Sequence, residues 1–127
     1  MSSPPAVYSV LIEAKAASDR RCGRERKFSE IYRKAQVSKQ VFSGIVNGKI
    51  PLKDTLLKFA FALGSSVEDA EKLLKSAGYS FGLCVKRDSL LKSCFEKGIT
   101  DVLEINELLK RENERTLLKN RKIIKSI

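Results

Sequence analysis

A short polar series in the first half of the chain carries side chains suited to recognising nucleic-acid bases. Lys39 and Gln40 are adjacent, and Ser43 follows about one helical turn later. A Lys side chain suits the O6 and N7 atoms of guanine, a Gln side chain suits the N6 and N7 atoms of adenine, and a Ser hydroxyl suits either base. These residue types at this spacing indicate base recognition from one end of a short helix.

More polar and basic residues flank this series and suit contacts with a phosphate backbone. Such contacts position a protein on a duplex and carry no sequence information. One group follows the series, and five basic side chains precede it between residues 18 and 27. The 18–27 segment is predicted to be a ten-residue connection, which is either a basic finger along the phosphates or a solvated linker. The complete set of candidate nucleic-acid-binding residues is Ser38, Lys39, Gln40, Ser43, Asn47, Lys49, Lys53, Arg20, Arg21, Arg24, Arg26 and Lys27.

Two short helices joined by a tight turn must position the polar series. The first is predicted over Phe28–Ala35, because its apolar residues recur at three- and four-residue spacing. The second is predicted over Ser38–Asn47, where the Ser38 hydroxyl can accept a bond from a free amide of the first turn. Its apolar face is predicted to comprise Val41, Phe42, Ile45 and Val46.

A third helix is needed, since two such short helices cannot bury enough surface alone. The segment from Leu56 to Leu63 is apolar nearly all round, as a covering helix should be. The three elements together predict a helix-turn-helix with its supporting helix.

The runs VSKQVFSGIVNGKIP (residues 37–51) and TLLKFAFALG (residues 55–64) resemble the Cro-type (Xre family) helix-turn-helix domain. The resemblance covers residues 27 to 70 without gaps and implies a lambda-repressor-like core that binds double-stranded DNA. Three positions depart from the family pattern. Phe28 replaces a Gln that contacts phosphate, Gly44 replaces a polar or basic side chain, and Val46 replaces a common Glu. The residues beyond this core resemble helical extensions of Xre-like domains in bacterial and phage proteins.

The whole chain is predicted to be one all-α domain of about seven helices, residues 1–127. A helix-turn-helix core of about five helices spans 6–78, and a helical extension with a basic tail spans 79–127. The first helix is predicted over Ala6–Ala17, and Tyr79–Val85 is predicted to be an extended loop. The tail contains two apolar pairs, Leu117–Leu118 and Ile123–Ile124. Three alternatives are open for it: it continues the last helix, it frays, or it packs on a second molecule in a homodimer.

The net charge of +10 is unevenly distributed along the 127 residues. Residues 1–60 carry +7, residues 61–107 carry −2 and residues 108–127 carry +5. Separate basic blocks of this kind indicate a polyanionic partner. No apolar run approaches the roughly 20 residues of a membrane helix, and the start lacks the features of a signal peptide. We therefore expect a cytoplasmic protein with no membrane partner.

The sequence offers little for catalysis. It contains no His, no phosphate-binding loop, no Gly-rich dinucleotide motif and no nucleophile elbow. The three cysteines lack metal-type spacing. Cys84 and Cys94 are predicted to be buried thiols, and Cys22 lies among arginines that favour its thiolate. We expect no enzymatic activity, no cofactor and no metal.

Two functions from different classes remain open. The first is a transcriptional regulator that binds double-stranded DNA. The second is a protein-binding module that uses the same fold to block a nucleic-acid-handling partner, as an anti-CRISPR-like inhibitor from a phage or mobile element would. The glycine inside the second short helix bears on both, since it removes a reading side chain and permits close approach of another protein.

Overall fold

The computed structural model describes residues 5–82 and 85–118, and these form an all-helical structure without strands. This confirms the predicted all-α class and, within those residues, the predicted number of helices. The seven helices are α1 (Ala6–Cys22), α2 (Phe28–Lys34), α3 (Lys39–Val46), α4 (Lys53–Ala62), α5 (Val67–Ser76), α6 (Lys86–Glu96) and α7 (Val102–Arg111).

Helix α4 lies at the centre of the core, as its apolar sequence predicts. It packs against α2, α5 and α7, while α1 packs against α5 and α3. Every residue of α4 from Thr55 to Ala62 except Lys58 is buried. Because α4 is apolar on nearly all sides, its burial requires neighbouring helices all around it. Helix α4 therefore connects the first half of the chain with the 79–118 region.

The caps follow the sequence pattern. Ser38 Oγ accepts a hydrogen bond of 3.2 Å from Val41 N at the start of α3, and Ser66 Oγ accepts one of 3.1 Å from Asp69 N at the start of α5. Asp101 Oδ1 accepts a bond of 3.0 Å from Leu103 N in the same way. These bonds satisfy amides that have no partner inside their helices.

The first helix is longer than predicted. Helix α1 continues five residues beyond Ala17 to Cys22 and is followed by Gly23, whose φ of 77° is left-handed. The predicted connection over 18–27 is therefore wrong in its first half, and Arg20 and Arg21 lie in the last turn of α1. Periodicity missed this turn because its inward side chains are polar: Ser18 and Asp19 are buried.

Two predicted inward side chains instead face solvent. Val41 is 42% exposed and Leu103 is 52% exposed. In α3, Ile45 is fully buried while Phe42 and Val46 are partly buried. Successive helical residues point in directions 100° apart, so adjacent Val41 and Phe42 cannot both point from α3 into the protein core. Phe42 occupies the inward position.

Candidate nucleic-acid interface

The start of α3 presents the predicted base-reading residues to solvent. Ser38, Lys39, Gln40 and Ser43 are all exposed. The exposed end is also the helix N-terminus, where the backbone dipole and unpaired N–H groups favour negatively charged ligands. The structure thus groups these four side chains on one accessible end of α3.

An aromatic cluster holds α3 from its inner side. The ring of Phe42 lies at the centre, with ring centroids at 4.8 Å from Phe28, 5.4 Å from Tyr32, 6.2 Å from Tyr8 and 6.3 Å from Phe59. These rings come from α1, α2, α3 and α4. The cluster therefore fixes the orientation of α3 on the rest of the protein.

Phe28, at the position where the resemblance to the Cro-type domain implies a Gln, belongs to this cluster. Its ring packs on Phe42, and Lys15 Nζ lies 5.3 Å from its centroid in a cation–π contact. Phe28 is thus part of the packing beneath α3.

Gly44 does not leave an empty space on α3. A Cβ placed on Gly44 would lie 3.2 Å from Lys49 Cδ and 3.5 Å from Lys49 Cβ. The aliphatic stem of Lys49 therefore lies across the helix at this glycine. Lys49 is exposed, so a cationic side chain is carried next to the face that Gly44 leaves without a side chain of its own.

Asn47 and Lys53 make contacts within the protein. Asn47 Nδ2 donates a 2.9 Å bond to Ser43 O at the end of α3. Lys53 Nζ lies 2.9 Å from Asp88 Oδ2, and Gly82 N donates to the same oxygen. Burial raises the pKa of Asp88, but the bonds from Gly82 and Lys53 outweigh it and lower that pKa. Lys53 is thus held toward α6, whereas exposed Asn47 stays beside α3.

The basic residues between 18 and 27 are not one free finger. Arg21 Nη2 donates to Leu63 O at 3.0 Å, and Arg24 Nη2 donates to Glu30 Oε2 at 2.8 Å. Arg26 Nε donates to Asp19 Oδ1 at 2.8 Å, and this pair is about nine-tenths buried. Arg20 and Lys27 are exposed. The prediction of a phosphate contact is therefore best retained for Arg20, Arg24 and Lys27 at the surface, and not for buried Arg26.

Asp19 is the centre of a buried ionic cluster that the sequence did not reveal. Its carboxylate accepts bonds from Lys15 Nζ at 2.6 Å and from Arg26 Nε at 2.8 Å. Burial raises the pKa of Asp19, but the bonds from Lys15 and Arg26 together outweigh it and lower the pKa to about 2. The cluster fixes the end of α1 against the connection to α2.

A second set of residues missed in the sequence holds the segment after α7. Arg87 is buried and donates two bonds to the Asp54 carboxylate, of 3.1 and 3.0 Å, and one of 2.7 Å to Arg115 O. Asn106 Oδ1 accepts bonds from Leu117 N at 2.8 Å and Leu118 N at 3.1 Å. In the sequence, Arg87 and Asn106 look like ordinary helix-surface residues, so no local signal could identify this anchor.

An exposed apolar patch lies beside α3. Ile50 is 63% exposed and Leu52 is 69% exposed, and both line a groove with Val41 and Gly44. The connection that carries them is held by Tyr79, whose hydroxyl donates a 2.8 Å bond to Pro51 O. The apolar patch, defined by Val41, Ile50 and Leu52, was not predicted.

Cysteine and acidic residues offer no metal site in the part of the chain that the structure describes, where no group of three potential ligands comes together. Cys94 is buried, as predicted, and Cys22 is exposed. Cys84 and Ile123–Ile124 lie outside the described residues. No helix in the described ranges is both long and apolar enough to cross a membrane.

Comparisons of the chain with protein-family models, with curated proteins and with solved structures find no match.

Proposed function

We propose that this protein binds double-stranded DNA through the N-terminal end of α3 and acts as a transcriptional regulator in the cytoplasm. The observation that carries the proposal is the exposed set Ser38, Lys39, Gln40 and Ser43 on a helix whose inner face is fixed by the Phe42 cluster. A helix of this kind fits the major groove, with its first residues at the base edges. The resemblance to the Cro-type helix-turn-helix domain supports the same assignment.

The chemistry of the exposed end divides into reading and positioning. Lys39 suits guanine and Gln40 suits adenine, while exposed Val41 next to them suits the methyl group of thymine. Lys49, which lies across Gly44, supplies a cation for a neighbouring phosphate. Sequence preference is thus assigned to Lys39, Gln40 and Val41, and general affinity to the surrounding cations.

The test replaces Lys39 and Gln40 with Ala in one variant. Ala is the best helix former, so α3 should remain intact. We expect discrimination between the preferred site and other duplexes to fall by about 1–3 kcal/mol for each lost bidentate contact, while salt-sensitive binding to all duplexes largely persists. A preferred site would first be selected from random duplexes, and both affinities would then be measured by fluorescence anisotropy at several salt concentrations.

The matched control replaces Lys72 and Lys75, two exposed residues of α5, with Ala. This variant removes positive charge away from α3 and should keep the wild-type preference. If the Lys39/Gln40 variant discriminates between duplexes as well as the control does, α3 is not the reading helix. If no preferred duplex sequence can be selected with the wild-type protein, the regulator proposal is wrong.

A second candidate function is favoured by the apolar patch of Val41, Ile50 and Leu52. Exposed apolar side chains grouped beside a groove are typical of protein-binding surfaces. A non-enzymatic module of this type, such as an anti-CRISPR-like inhibitor from a phage or mobile element, would grip a nucleic-acid-handling protein there.

Replacing Ile50 and Leu52 with Ser distinguishes this candidate from the first. An inhibitor should lose most of its partner binding, because the two side chains are the most exposed large apolar residues of the described chain. A regulator that binds through Lys39 and Gln40 should keep its affinity for the selected duplex. The measurement is capture of partners from nuclease-treated lysate alongside duplex binding, and the fold is checked by circular dichroism. Retained partner capture by this variant would exclude the patch as the interface.

A further inference from the structure

A surface cavity of about 750 Å³ lies between α4, the α2–α3 turn and the segment that follows α7. Its lining includes four apolar side chains, which are Val41, Leu52, Leu117 and Leu118. Sites for small organic molecules commonly have this size and a mostly apolar lining with a few polar groups. The cavity is therefore suited in size and lining to a small ligand.

The wall that follows α7 is fixed in place. The Arg87 guanidinium joins the Asp54 carboxylate of α4 to the carbonyl groups of Arg115 and Thr116. Charge-assisted bidentate bonds of this kind are strong and directional. Leu117 is 4% exposed, so the same segment is also held by the core. The cavity is thus largely preformed, which lowers the cost of ordering its wall when a ligand binds.

One side chain of the lining is a partly buried cation. Lys58 of α4 lines the cavity, and within residues 5–82 and 85–118 no carboxylate lies at ion-pair distance from its ammonium group. The neighbouring Asp54 carboxylate is instead bonded to Arg87. Burial lowers the pKa of Lys58, and the negative charge of Asp54 offsets only part of that effect. An anionic group in the cavity would give Lys58 a partner.

Two further polar side chains line the same cavity. The Arg115 side chain is 75% exposed and lies 3.9 Å from Asp54 Oδ2 through its Nε, so it is free to turn toward a bound anion. Gln36 is exposed and has a φ of 61°, a left-handed conformation that costs energy in any residue with a Cβ. Strained residues of this kind cluster at functional sites. The amide of Gln36 supplies a neutral hydrogen-bond donor there.

We propose that this cavity binds a small organic anion with an apolar body, such as a medium-chain carboxylate, with the charged head at Lys58 and the body along the leucine side chains. The lining favours an anion because Lys58 and Arg115 face a single carboxylate, Asp54, whose charge Arg87 already balances. A neutral or cationic molecule of the same shape would leave Lys58 without a partner. The site goes beyond the proposed function, since it does not require that α3 binds a duplex.

The experiment uses octanoate as the probe and the full chain as the protein. Binding is measured at neutral pH by NMR titration of the backbone amides, which reports both affinity and location. We expect saturable binding, with the largest shifts in the residues that line the cavity. Octanol and octyltrimethylammonium carry the same alkyl chain with no charge and with a positive charge. Both should bind about tenfold more weakly than octanoate, because they lose the charge-assisted contact with Lys58.

Two variants locate the head group. Lys58→Gln should weaken octanoate binding about tenfold, whereas Lys75→Gln, which removes the same charge from an exposed position on α5, should leave it unchanged. Gln36→Gly should also weaken octanoate binding without lowering the melting temperature, because Gly adopts a φ of 61° without strain.

Three results would overturn the proposal. The first is the absence of saturable octanoate binding to the wild-type protein. The second is octanol binding as tight as octanoate binding, which would show that the charged head makes no contact. The third is equal octanoate affinity in the Lys58→Gln and Lys75→Gln variants. None of these results depends on duplex binding, so the regulator proposal is tested separately.

Discussion

Replacing Asp19 with Asn is expected to lower the free energy of unfolding by roughly 3–5 kcal/mol, the usual cost of removing one partner from a buried ion pair. The variant leaves two cations, Lys15 and Arg26, with little water around them and without the carboxylate that pairs with both. Lys15 is 9% exposed, and the Arg26 side chain is 10% exposed. Chemical denaturation followed by circular dichroism measures the change. Glu25→Gln is the matched control, because Glu25 is exposed in the same segment and its loss should leave stability nearly unchanged.

The same carboxylate predicts how stability depends on pH. The pKa of Asp19 is lowered in the folded protein from 3.8 to about 2. A carboxyl group with a depressed folded pKa stabilises the protein above its unfolded pKa and loses that contribution as the pH falls through the folded value. The difference in stability between wild type and Asp19→Asn should therefore be full above about pH 4 and shrink toward pH 2. An unchanged difference across this range would show that Asp19 is not the group that titrates.

Replacing Phe42 with Ala is expected to destabilise the protein by roughly 3 kcal/mol, toward the lower end of the range for a core Phe because the ring is only partly buried. The ring contacts Phe28, Tyr32, Tyr8 and Phe59, so its loss opens a space between three helices and α3. Loss of the ring should also weaken duplex discrimination, since α3 would no longer be held in one orientation.

Phe42→Leu separates the two effects. Leu keeps most of the apolar contact and should recover a large part of the stability without the aromatic geometry. Thermal unfolding and duplex binding are measured on the same samples. A melting temperature equal to that of wild type in the Ala variant would mean that Phe42 faces solvent and that the assigned face of α3 is wrong.

Much of the fold could be predicted, because local physics sets it. The hydroxyls of Ser38 and Ser66 cap helices wherever the chain places them before a helical run, and Gly48 ends α3 because only a residue without a Cβ adopts its φ of 97° easily. The continuous apolar run of α4 requires neighbours on all sides. These signals lie within a few residues of one another, and so they can be read from the chain directly.

The candidate site was predictable in part. The exposure of Lys39 and Gln40 followed from the helical period and from the cap at Ser38. The placement of Lys49 across Gly44 did not, because it depends on the path of the connection after α3. The exposure of Val41 was missed because Val41 is apolar, as core residues are. Only the direction in which its side chain points from α3 distinguishes it from Phe42.

What the sequence alone determined about this protein is its all-helical class, the places where most helices begin and end, and the basic character of its two ends. Only the tertiary structure decided which polar groups are partners. Asp19 meets Arg26 seven residues away across a helix end, and Arg87 meets Asp54 across 33 residues of chain. Periodicity indicates which face of a helix is apolar, since that face is set by the residues of the helix itself. A buried charge is stable only if a partner arrives from elsewhere in the fold, and no local pattern specifies that meeting.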